Sequence, residues 1–117
     1  MTPHIVISAV PQERQRYDTL GDWFAISNGD LHIRATGKSM ADPETFLIAL
    51  HELVEWFLCQ HRGISQEAVD RFDMAFQGEG EPGDDLEAPY RREHRQAMIV
   101  EHLVSDMIGM IGYGRVE

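Results

Sequence analysis

The sequence predicts an α+β protein: a small antiparallel N-terminal sheet packed on two long helices and one short helix. Three observations carry that expectation. Residues 1–36 are rich in β-branched side chains gathered around a hairpin signal. Beyond residue 42 the apolar spacing switches to the helical period. An acidic stretch rich in Gly and Pro, residues 78–89, then separates a short helical segment from a long one. Strands first and helices after is the order of an α+β layout. At 117 residues the chain reads as one domain, 1–117, long enough for a real core.

HIVISAV (residues 4–10) reads as a strand that Pro11 ends. The polar PQERQRYDTLG is turn-like, and residues 23–26 form a second short strand. In SNGD, Asn28-Gly29 can take positive φ at both central turn positions, the signature of a two-residue hairpin. LHIRA (residues 31–35) is the third strand, with Leu31, Ile33 and Ala35 alternating against His32 and Arg34. So few strands are marginal alone, so helices must cover one face.

Residues 42–61, DPETFLIALHELVEWFLCQH, form the longest helical pattern, with Asp42 as cap and Pro43 in the first position. At about 100° per residue, Phe46, Leu50, Leu53 and Phe57 share one face. Leu47, Val54, Leu58, Ala49 and Trp56 widen it, and Ile48 and Cys59 occupy the far side, so most of the helix reads as buried. Gly63 ends it, and Ser65 caps a short second helix with Val69, Phe72 and Phe76 on one face. Residues 78–89 read as a flexible, solvent-exposed acidic loop, with a lid or a Ca²⁺ loop as the functional alternatives. The last helix covers residues 90–110, apolar through Ala97, Val100, Val104, Met107, Ile108 and the following Ile111, and the final YGRVE is expected to fray. His94, Met98, Glu101 and Ser105 make a polar stripe along it.

The formal charge of −10 argues against a nucleic-acid backbone contact and leaves a metal open. The four basic residues Arg14, Arg16, Arg34 and Lys38 do not make a nucleic-acid footprint. No run is long and apolar enough for a membrane span, and no secretory signal is visible. With the lone Cys59 this points to a cytoplasmic setting, and the thiol reads as structural. A nearly all-round apolar helix suits burial within a monomer or in a homo-oligomer.

His51, Glu52 and Glu55 interrupt the long apolar helix. Charges placed there must stay at the surface, pair, or hold a metal. His51-Glu52-x-x-Glu55 resembles the His-Glu-x-x-His metal motif, with Glu55 where the second His would stand. Residues four apart share a side of the helix, so His51 and Glu55 can bind one ion, and Glu52 can activate its water. His94 and Glu101, on a helix packed antiparallel, are the expected further ligands, with Asp70 and Asp73 as added oxygen donors. Such a set suits Zn²⁺, Mn²⁺ or Fe²⁺. The plain alternative pairs His51 and Glu55 with each other or with Arg62, Arg91 or Arg95, in a metal-free interaction or structural protein that docks through the acidic loop or the hairpin edge.

Glu52-x-x-Glu55 with Glu101 and Asp106 also resembles the acidic set of all-helical nucleoside triphosphate pyrophosphohydrolases of the MazG type. That resemblance implies Mg²⁺ held by carboxylates and cleavage between the α and β phosphates. Asp106 lies five residues after Glu101, where the family has a spacing of three. RYDTLGDWF, ALHELVEWFLC, RGIS, VDRFD and APYRREH together resemble small phage- and prophage-encoded proteins. This implies a phage or bacterial intracellular setting and no particular activity. The substrate stays open.

Overall fold

The computed structural model describes residues 3–110, 112 and 113. Strands β1 (Ile5–Val10), β2 (Gly21–Ala25) and β3 (Leu31–Thr36) form one sheet, and helices α1 (Pro43–His61), α2 (Gln66–Ala75) and α3 (Arg91–Met107) follow. The mixed α+β architecture is as expected. Ile111, expected on the apolar side of the last helix, and residues 114–117 of the YGRVE segment expected to fray lie outside the described residues.

The sheet is not wholly antiparallel. Its order is β1-β3-β2; β2 and β3 form the antiparallel hairpin, whereas β1 runs parallel to β3. The cause is the connection in residues 11–20. It carries the chain across the end of the sheet, so that β2 starts on the far side and the hairpin returns β3 between the two. Gln12 and Gln15 fasten this crossing, their side-chain amides donating to Thr19 O (2.7 Å) and Leu20 O (3.2 Å). The hairpin turn also differs from expectation. Gly29 N–H donates to Ile26 O, and only Gly29, at φ 93°, is left-handed, so Asn28 keeps ordinary φ. A tight turn followed by one left-handed Gly suits the strand twist as well as the two-residue form does.

Local chemistry sets the helix ends. Asp42 accepts from Glu44 N–H, and Ser65 accepts from Ala68 N–H. Past the end of α1, Gly63 is left-handed and Ile64 N–H returns to Cys59 O. α1 packs on β2 and β3 with one side and on α3 with the other, so it is the middle layer. Leu31, Ile33 and Ala35 face it as the alternation predicts, and Ile33 and Cys59 have no exposed surface. Among the described residues no helix packs closely over β1, and Ile5, Val6 and Ile7 are exposed.

The buried face of α1 is not the expected one. Phe46 and Phe57 are 46% and 58% exposed, whereas Leu47, His51 and Glu55, one turn apart, are buried. A helix apolar all round does not specify its inner face by periodicity. The choice follows steric fit and partners. Small Ala49 and Thr45 admit the sheet side, and His51 and Glu55 meet polar groups on α3. At the end of α3, Met107 and the capping Ile108 are likewise exposed, and His94, Ala97 and Ser105 are buried. The predicted stripe is therefore the packing face.

Candidate metal centre

α1 and α3 run antiparallel: Arg62 near the end of α1 pairs with Glu93 near the start of α3 (3.0 Å), and His51, earlier on α1, meets Glu101, later on α3 (2.8 Å). That orientation brings His94 opposite His51 and Glu55. His51 Nε2 lies 3.1 Å from His94 Nδ1 and 3.2 Å from Glu55 Oε2, and His94 Nδ1 lies 2.9 Å from the same oxygen. All three residues are buried. Ligands about 2.0–2.1 Å from one ion stand about 3.0 Å apart at octahedral angles and about 3.3 Å apart at tetrahedral ones. The three atoms thus already have the edge lengths of one face of a coordination polyhedron, and they form a group that could hold a metal ion.

Each member is held from behind. His51 Nδ1–H donates to Glu101 Oε1 (2.8 Å), whose other oxygen accepts from Tyr113 Oη–H (2.6 Å). Glu101, expected as a further ligand, therefore lies on the far side of the His51 ring and fixes its orientation, the usual place of a carboxylate behind a metal-bound histidine. Trp23 Nε1–H donates to Glu55 Oε1 (3.1 Å), which leaves Oε2 to face the histidines.

Without an ion the cluster holds protons. Burial alone would lower both histidines, but the carboxylates outweigh it. Hydrogen bonds to Glu101 and Glu55 push His51 up to about 11, and the hydrogen bond to Glu55 together with the nearby Glu81 carboxylate pushes His94 up to about 9. Burial would raise Glu55, yet its two histidine hydrogen bonds keep it well below the usual carboxylate range.

The acidic loop comes to the other side of His94. A 3-10 turn, Pro82–Asp84, places Glu81 Oε2 and Asp84 Oδ1 each 3.3 Å from His94 Nε2. That nitrogen is buried and makes no hydrogen bond. Gly83 is buried flat on the ring: a Cβ there would lie 2.5 Å from His94 Cγ. The loop is thus a cover over the site as well as an exposed acidic segment. Glu81, Asp84 and His94 form a second group that could hold an ion, sharing His94 with the first through its opposite nitrogen.

A cavity of about 180 Å³ opens beside the cluster, with Tyr17, Trp23, Glu52, Glu55, Tyr90 and His94 in its wall. Glu52 enters it from α1, and Gly21 makes room: a Cβ there would stand 2.8 Å from Glu52 Cγ. Burial and the neighbouring Glu55 charge raise the Glu52 carboxyl well above the usual range.

Other expected donors are engaged elsewhere. Asp70 takes the Arg16 guanidinium (2.9 Å), which also grips buried Asp22 (2.6 Å). Asp73 accepts from Tyr17 Oη–H (2.8 Å) and from Tyr90 Oη–H. Arg62 pairs with Glu93 and not with the cluster, and Asp106 is exposed. Sequence reading gave Trp23, Tyr17 and Tyr90 no role at the site, and named Arg16 only as one of four scattered basic residues. The one signal was the density of aromatic and charged residues in RYDTLGDWF. No family model matches the chain, and neither a curated protein nor a solved structure matches it.

Proposed function

We propose that the chain binds one divalent ion of the Zn²⁺, Mn²⁺ or Fe²⁺ class through His51 Nε2, Glu55 Oε2 and His94 Nδ1, and uses it for metal-assisted hydrolysis in the adjoining cavity. The supporting observation is the convergence of three buried ligand atoms within 3.2 Å of one another. Each ligand residue also has a second polar neighbour: Glu101 for His51, Trp23 for Glu55, and the loop carboxylates for His94. Two imidazoles favour these ions over Mg²⁺. Three protein ligands leave a position open, as catalytic sites do. A bound ion would polarise a carbonyl and make its water acidic. In this reading Glu52, in its ionised form, would accept the water's proton, Trp23 and Glu101 would hold the ligands in place, and the Gly83 turn would limit access of bulk water.

Elemental analysis of protein purified without a polyhistidine tag or added metal tests the proposal. It expects close to one ion per chain, lost in His51→Ala and His94→Ala and retained in Glu52→Gln. Less than about 0.1 ion per chain, with no thermal stabilisation by Zn²⁺ or Mn²⁺, overturns it in favour of a metal-free interaction protein.

A further inference from the structure

The proposed centre can act only on what its cavity admits, and the wall of that cavity is one-sided in charge. Asp18, Glu52, Asp73 and Glu81 line it, and no Lys or Arg does among the described residues. Glu55 also lines it but belongs to the metal cluster. Asp22 lines it with its charge met by Arg16. An ion of charge +2 on Glu55 and two neutral histidines leaves one positive charge, against four further carboxyl groups. Even with Glu52 protonated the wall stays negative. The carboxyl of Asp73 is pushed up to about 6 by burial and, after the two tyrosine hydrogen bonds that oppose it, by the charges of Glu55 and Asp22. Buried His94 Nε2 faces Glu81 Oε2 and Asp84 Oδ1, each at 3.3 Å, without a well-formed hydrogen bond to either. Three aromatic residues, Tyr17, Trp23 and Tyr90, also line it, and aromatic rings attract cations.

We infer that this cavity selects a small organic cation, a primary amine or guanidinium that carries an amide or ester carbonyl, and rejects phosphates. The inference rests on the metal reading for its chemistry, because the ion would receive the carbonyl while the carboxylates receive the positive end. A volume of about 180 Å³ is small for a ligand pocket and fits something near the size of one large amino-acid residue. A triphosphate would bring several negative charges against this wall, and like charges in a confined site are a strong means of exclusion.

Binding is measured by calorimetry and thermal shift on untagged protein, with and without added Zn²⁺, and metal content is determined separately on the same samples. The probes are argininamide, its neutral analogue citrullinamide, inorganic phosphate and ATP. Argininamide is expected to bind saturably, at least tenfold more tightly than citrullinamide, and more weakly as salt rises. Asp18→Asn, at the exposed rim, is expected to weaken argininamide several-fold without changing metal content. Equal affinity for the charged and neutral amides, no saturable argininamide binding, or tighter binding of phosphate or ATP overturns the inference. An empty centre in the elemental analysis counts against the metal reading alone, because the wall carboxylates are present with or without an ion.

Discussion

Gly83→Ala tests whether the acidic loop is fastened to the site. The added methyl would lie 2.5 Å from Cγ and Nδ1 of His94 and 2.9 Å from Cδ2, where ordinary contact needs about 3.5–4.0 Å. One side must therefore retreat by about 1 Å. The ring cannot, because its Nδ1 is held by Glu55 at 2.9 Å and His51 at 3.1 Å. The turn moves instead, and its carboxylates leave Nε2. Overpacking of this kind costs about 1–3 kcal/mol. Alanine also restricts the unfolded chain, a gain of about 0.4–1 kcal/mol. The steric cost wins, and a net loss of about 1–2 kcal/mol is expected. With a urea m-value of about 1–2 kcal/mol/M, the midpoint falls by about 1 M. Gly80→Ala is the control: at φ 78° with no neighbour within 4 Å it strains the backbone and leaves His94 alone. Only Gly83→Ala should also weaken Zn²⁺ binding in a chelator competition. An unchanged urea midpoint together with unchanged affinity would refute the packing argument.

Three further outcomes follow from the same geometry. Arg16→Met strands the 3%-exposed Asp22 and should cost about 3–5 kcal/mol in urea melts, most of it recovered by adding Asp22→Asn; a loss below about 1 kcal/mol contradicts the buried pair. Asp73 has a raised folded pKa of about 6, so its contribution is full below pH 4 and is lost as pH rises to 6; Asp73→Asn should remove a decline of at most about 3 kcal/mol over that window, and an identical pH profile in the variant would count against it. His51 and His94 hold protons at neutral pH with their pKa values raised to about 11 and about 9, so metal uptake must displace them; log affinity for Zn²⁺ should rise with pH between 6 and 8 with a slope near two, and a flat dependence would show that these rings are not ligands.

Features written in local chemistry were legible in the sequence. Asp42 and Ser65 as caps, Gly63 as terminator and the alternation of Leu31, Ile33 and Ala35 each depend on residues a few positions apart. The pairing of His51 with Glu55 was legible for the same reason, and the stripe on α3 supplied His94 and Glu101. Long-range choices were not legible. β1 takes its parallel place because of where residues 11–20 lead the chain, which no strand pattern records. The inner face of α1 was hidden because its apolar residues go all the way round, so the outward turn of Phe46 and Phe57 was invisible to periodicity. Trp23 reaches Glu55 across 32 positions, and Tyr17 reaches Asp73 across 56, distances over which sequence spacing carries no information. Glu101 was found as a partner but given the wrong side of the ring, since a helical stripe fixes the face and not the depth.

Cys59 offers a practical consequence. It is the chain's single cysteine, has no exposed surface, and lies one turn beyond Glu55 in the middle layer. Burial also pushes its thiol up, so it is inert while the core is closed. A thiol reagent can reach it only when α1 parts from its surroundings, and labelling then runs as a clock on that opening. Any ligand that binds only the closed form slows the clock by its own mass-action factor. Occupancy of the site can therefore be timed from a sulfur atom that is not one of its proposed ligands.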